Sequence, residues 1–201
     1  MDSTTRRAGA LIAATLLLTV ITQVIYVAAL NGVGIVEGWP LRSTLWTAEV
    51  VAFTVMAVAA LGGLARDPAR PFLWSALAVS ALVNAIQAGV GLSLFLPLTE
   101  AGENFAPVMG ATVAGAFLFY FLAKLVLGLA AILLGLELFR EGSIVEKIAG
   151  ALSLLTGLAA ALLNLAALRQ SLDLTFAAGA TGTAAALFTA IALLLVMRRQ
   201  A

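Results

Sequence analysis

Six apolar stretches, each about twenty residues or longer, run through the 201-residue chain with only short polar breaks between them. A helix needs about 20 predominantly apolar residues to cross a hydrocarbon layer roughly 30 Å thick. The stretches cover about residues 8–30, 43–64, 71–98, 108–138, 148–168 and 174–197. They predict an all-α polytopic membrane protein, a single domain of six transmembrane helices over residues 1–201. Composition agrees: 63% of residues are hydrophobic, 10% are charged and the mean hydropathy is +1.11. Soluble domains average about 45–50% apolar and about 25% charged residues, so a water-soluble globule is excluded. Pro71 and Pro107 stand near predicted helix starts, where a missing N–H costs nothing.

Charge placement orients the bundle. If the connections alternate sides, Arg6, Arg7, Arg66, Arg70, Arg140, Lys147, Arg198 and Arg199 share one face, and only Arg42 and Arg169 the other. Basic residues collect on the cytoplasmic side, so both termini are expected inside. The Ala/Leu-rich, Arg-over-Lys usage fits a bacterial inner membrane. Trp39 and Trp46 fall at the expected outer boundary and Trp74 at the inner one, as an aromatic belt predicts. Arg6 and Arg7 before an apolar run also resemble a signal peptide. The run exceeds the 7–15 residues of a typical signal core, so a retained helix is expected.

Much chemistry is excluded by residue type. The chain has no cysteine and no histidine, which removes disulfides, thiolate chemistry and the commonest zinc ligand and general base. No paired carboxylate cluster suits a metal, no Walker motif is present, and the glycines lie inside apolar helices, outside the strand–turn–helix setting of a dinucleotide loop. A formal charge of +1 gives no case for nucleic-acid binding. No catalytic set, metal or cofactor is therefore expected, and an enzyme is the least favoured reading.

What remains is the placement of polar residues inside spans, where they are costly. Thr15, Thr19, Thr22 and Tyr26 lie on one face of the first helix, with Gln23 beside them. Ser80, Asn84, Gln87 and Gly91 repeat the spacing on the third, and Ser153, Gly157, Ala160 and Asn164 on the fifth. Gly179, Thr183, Ala186 and Ala190 line the sixth. Such stripes, with Gly128, Gly135 and Gly150, suit close helix packing. The stronger hydrogen-bonding groups nevertheless gather in the predicted outer half, which packing does not require and an outward-opening cavity does.

Two ionisable residues sharpen that reading. Lys124 sits at the centre of the fourth span with Tyr120 and Gly128 on its face. A lysine there costs about 2.5–3.5 kcal/mol on insertion scales, so it needs carbonyls, Asn84, another polar partner or a ligand. Glu49 lies about six residues inside the second span, roughly 9 Å deep. It can reach Lys124, face Arg42 two turns earlier, or meet water. Glu137 is about 20 Å from Lys124 along the same helix and is expected at the inner boundary beside Arg140. Glu100, Glu103 and Asn104 make an acidic, solvated loop. Gln23, Glu49, Asn84, Gln87, Tyr120, Lys124 and Asn164 are the candidate ligand-binding residues.

The segment from Leu134 through Phe139-Arg140-Glu141-Gly142 to Ile148-Ala149-Gly150, with the start Arg7-Ala8-Gly9-Ala10-Leu11-Ile12, resembles a group of bacterial six-span membrane proteins of unknown function. Size and layout are also similar to the substrate-binding subunit of energy-coupling-factor vitamin transporters. Those subunits carry small residues for docking on the first helix; Ala10 and Ala14 fit that pattern and Leu18 departs from it. Three functions follow. The first is a binding or transport subunit that holds a small or lipid-like molecule in a polar-lined cavity. The second is an accessory subunit of a larger membrane complex, docking to a membrane protein partner or a second copy through its small-residue faces. The third is a lipid-modifying enzyme using Glu49 or Lys124.

Overall fold

The computed structural model describes residues 3–199, and the side chains of all of these but 170 and 171. It is helical throughout, in the order α1 (Ser3–Leu30), α2 (Trp39–Arg66), α3 (Pro71–Val90), α4 (Leu96–Glu100), α5 (Ala106–Glu141), α6 (Ile144–Gln170) and α7 (Thr175–Arg199). A π-helical turn, Gly91–Phe95, joins α3 to α4, so that Pro71–Glu100 forms one long helical rod. Six rods are long and apolar enough to cross a membrane, as expected from the sequence.

Prolines set the starts: α2, α3 and α5 each carry one in the first two positions, where the absent N–H has no intrahelical partner to lose. The turn before α6 is fixed by Ser143 and Glu146. The Ser143 N–H donates to the Glu146 carboxylate at 2.6 Å, half of the reciprocal cap that a Ser-x-x-Glu sequence encodes. The π turn falls in the turn preceding Pro97, whose ring crowds the carbonyl four residues back. A widened turn absorbs that conflict.

Packing follows chain order. Helix α1 lies on α2, α2 on α3, α3 on α5, α5 on α7 and α7 back on α1, while α6 flanks α5 and α7. The start of α1 and the end of α7 lie at one end, where Gly9 of α1 meets the Met197 side chain of α7. That termini end is filled by an apolar core including Ile12, Leu16, Phe53, Met56, Trp74, Leu77, Leu134, Leu193 and Val196. Outward faces carry exposed Ile, Leu, Val and Phe, Ile148, Leu155 and Leu162 of α6 among them. On a soluble protein such a surface would be an anomaly; on a lipid-facing bundle it is the solvent-matched side.

The closest approach joins α5 and α6. A Cβ on Gly128 would stand 2.7 Å from the Gly157 carbonyl oxygen, and one on Gly135 would stand 2.7 Å from that of Gly150. Ser153 donates across the same seam to the Ala131 carbonyl at 2.9 Å. The small-residue stripes that could have docked a partner here are used within the chain.

Two of the tryptophans, both near rod ends, face the interior of the bundle. Trp74 is buried over Gly63 and donates from Nε1 to Asp67 at 3.1 Å. Trp46 is buried against Gly91. Glycines on the neighbouring helix open the space that draws both rings inward.

Candidate functional site

The first helix builds one wall of the far half, opposite the termini. Thr15 and Thr19 each donate to the carbonyl three residues earlier at 2.8 Å, and Thr22 Oγ1 lies 2.9 Å from the Thr19 carbonyl oxygen. These bonds satisfy hydroxyls within their own helix and leave a slim polar face. At its far end Thr22 Oγ1 also lies 2.6 Å from Glu49 Oε1, and Gln23 Nε2 donates to that same oxygen at 2.8 Å. Glu49 is 3% exposed, and its second oxygen accepts no hydrogen bond from the described residues.

Lys124 faces this carboxylate from α5. It is 2% exposed, and its stem lies over Gly182 of α7, where a Cβ would stand 2.8 Å from Lys124 Cδ. Nζ sits 5.3 Å from the Tyr120 ring centroid, an attractive cation–π placement. Among the described residues it makes no hydrogen bond and has no carboxylate oxygen within 4.0 Å. Glu49 is still near enough to act electrostatically on Lys124 and Tyr120. Of the two partners expected for Glu49, neither Lys124 nor Arg42 forms a direct ion pair with it.

Arg42 serves the end of α1 instead. Its guanidinium is 4% exposed, donates to the Tyr26 hydroxyl at 2.9 Å, and reaches the Leu30 and Val33 carbonyls. A cation there meets the negative end of the helix dipole. Above Glu49, Trp46 packs between Tyr26, Trp39 and Phe95, with ring centroids 6.0, 6.1 and 5.5 Å away. This aromatic layer closes the far end over the carboxylate.

The candidate residues therefore divide. Gln23, Glu49, Tyr120 and Lys124 share one layer. Asn84 joins its edge: its amide donates to the Ser80 carbonyl at 3.0 Å, while Ser80 Oγ donates to the Ala123 carbonyl beside Lys124 at 2.9 Å. Gln87 is half-buried on α3, and its side chain makes no hydrogen bond to the described residues. Asn164 stands apart, donating to the Ala160 and Ala178 carbonyls at 2.8 and 3.2 Å and so pinning α6 to α7. Thr22, Tyr26 and Arg42 belong to the polar layer without having been singled out as site residues. The threonine stripe ending beside Gln23 was the available signal for Thr22.

The outward-opening cavity expected from the sequence is not one of the two described hollows, neither of which borders the polar layer. Both hollows lie at the termini end, one of about 340 Å³ beside Ser3, Arg6, Arg7 and Ala10, and one of about 160 Å³ beside Arg70, Phe72, Leu133 and Glu137. Glu137, three residues before Arg140 near the end of α5, has Arg70 as its direct partner. It accepts two bonds from Arg70, at 2.8 and 2.7 Å, while Asp67 takes a third at 3.0 Å. The planar guanidinium fork fits a carboxylate in this two-pronged way. Hydrogen bonds to Glu137 raise the proton affinity of Arg70, against the opposing effect of burial and with further help from Asp67.

No cluster of three His, Cys, Asp or Glu able to hold a metal occurs among the described residues. The bundle is thus an all-helical, six-rod scaffold of membrane-spanning proportions with one buried acid–base layer. In comparisons with known proteins, no family model, curated protein or solved structure matches the chain.

Proposed function

We propose that this is a multi-pass membrane protein, with both termini on the cytoplasmic side, acting as a binding or transport subunit. Its ligand is a small or lipid-like molecule engaged at the Glu49–Lys124 layer beneath the Trp46 cover. The observation that carries this reading is Lys124: buried at mid-helix, its side-chain nitrogen donates no hydrogen bond to any described residue. A lysine kept for structure alone is ordinarily satisfied by carbonyls or carboxylates, because an unpaired buried cation costs several kcal/mol. The closed aromatic layer fits an occluded state of a site that opens toward the far side. The accessory-subunit reading is weakened because the α5–α6 glycine faces are consumed internally.

Native mass spectrometry of protein gently extracted from its own membrane tests the reading. A reproducible small-molecule adduct that disappears in Lys124→Met and weakens in Asn84→Leu is expected. An adduct-free protein that copurifies with another membrane protein would overturn it in favour of an accessory role.

A further inference from the structure

We infer that Glu49 is a reversible proton-binding site, with the Thr22 hydroxyl as the adaptor that lets either protonation state exist inside the bundle. Thr22 Oγ1 carries a single hydrogen yet lies within bonding distance of two oxygens, the Thr19 carbonyl at 2.9 Å and Glu49 Oε1 at 2.6 Å. One hydrogen cannot serve both. With Glu49 ionised, the hydroxyl donates to the carboxylate, and 2.6 Å falls in the usual range of about 2.5–2.7 Å for an O–H···O⁻ bond. The Thr19 carbonyl then keeps its main-chain helix bond and needs nothing more.

With a proton on Oε1, the same hydroxyl turns toward the Thr19 carbonyl, as Thr15 and Thr19 turn toward Ile12 and Leu16. It then accepts the carboxyl hydrogen. Gln23 donates to Oε1 in both states, and no heavy atom has to move. The step balances simply: a hydronium ion from the aqueous phase gives its proton to Glu49, an O–H bond forms on the carboxylate, and water is released. A residue kept only as a fixed anion needs no such two-way partner.

The charged and titratable neighbours are few. Tyr26 faces Glu49 from α1, Arg42 lies on its own helix, and Tyr120 and Lys124 face it from α5. Helix α3 carries no charged or titratable side chain between Pro71 and Val90. Protonation of Glu49 would therefore leave Lys124 without its one nearby anion, so proton binding and engagement of an anionic group by Lys124 become linked. This linkage rests on the proposed ligand site. The proton site itself does not, since it is read without any ligand.

Infrared difference spectroscopy on reconstituted protein, comparing acid with alkaline conditions, provides the test. A carboxylic-acid C=O band that appears reversibly on acidification, shifts in D₂O and is lost in Glu49→Gln is expected. Thr22→Val should move that band to higher frequency, by removing the acceptor for the carboxyl hydrogen, whereas Thr22→Ser should leave it in place. Circular dichroism and elution profile establish folding; if Glu49→Gln does not fold, the two Thr22 variants decide. A Glu49 band absent at every pH at which the protein stays folded, or present at all of them, overturns the inference. So does a Thr22→Val band identical to that of the unmodified protein. Ligand retention by mass spectrometry is scored separately, so either idea can fail alone.

Discussion

Gly128 and Gly157 face each other across the α5–α6 seam so closely that a Cβ on either would stand 2.7 Å from the other's carbonyl oxygen. The relationship is reciprocal, and it recurs two turns away between Gly135 and Gly150. Backbones at this separation allow Cα–H···O contacts and dense packing, which are the available attractions between helices in an apolar solvent.

Alanine at Gly128 is therefore expected to cost about 1–3 kcal/mol, the usual scale of overpacking, and alanine at Gly157 a similar amount. Because either methyl group already forces the helices apart, the double variant should lose clearly less than the two costs combined. Unfolding of the reconstituted or micellar protein by a denaturing detergent measures this. Additive losses would show that the two glycines do not share one contact.

Lys124 and Gly182 make a second coupled pair. A methyl group at Gly182 would stand 2.8 Å from Lys124 Cδ, so Gly182→Ala should destabilise the natural chain and be nearly neutral in a Lys124→Ala background. Replacing the lysine by methionine removes a buried polar nitrogen that no described residue hydrogen-bonds. Lys124→Met should hold or raise stability, by about 1–3 kcal/mol, while abolishing ligand retention. Thermal unfolding followed by circular dichroism distinguishes the cases; a marked loss of stability would make Lys124 a structural residue.

At the other end, Arg70 and Glu137 are expected to matter as a fork rather than as a charge pair. Their side chains are 18% and 19% exposed, between the surface and buried regimes, so Arg70→Met should cost about 1–3 kcal/mol. Arg70→Lys should recover only part of that, because an ammonium cannot make the two parallel bonds. Folding raises the proton affinity of Arg70. Its contribution is thus complete below the ordinary guanidinium range and fades only as pH climbs beyond it. The stability gap between the natural chain and Arg70→Met should stay constant from neutral to strongly alkaline pH.

The six rods were legible because hydrophobic length is a property of composition, and Pro71 and Pro107 marked two of the starts; Pro40, which opens α2 ahead of the expected residue 43, was not read as one. The α5–α6 seam was also readable, since Gly128, Gly135, Gly150 and Gly157 are spaced to lie on facing stripes. Harder to read was which polar residues meet. Glu49 stood within reach of two cations and bonds directly to neither, because Thr22 and Gln23 reach it first. Nothing along α5 marks Arg70 as the partner of Glu137; only the return of the α2–α3 connection to that level brings them together. The π turn was equally hidden, as Pro97 announces a disturbance without saying whether the helix will kink, stop or widen.

The order of helix neighbours carries a consequence for how the protein is made. Every contact in the ring up to α5 joins consecutive rods, so each arriving helix can dock on the one before it. Helix α7 is different: it is the rod that joins α1 to α5 and lays Gly182 against Lys124. During synthesis from the N-terminus, this ring stays an open arc until α7 emerges. A ribosome stalled before residue 175 would leave the Lys124 face without the α7 surface that covers it.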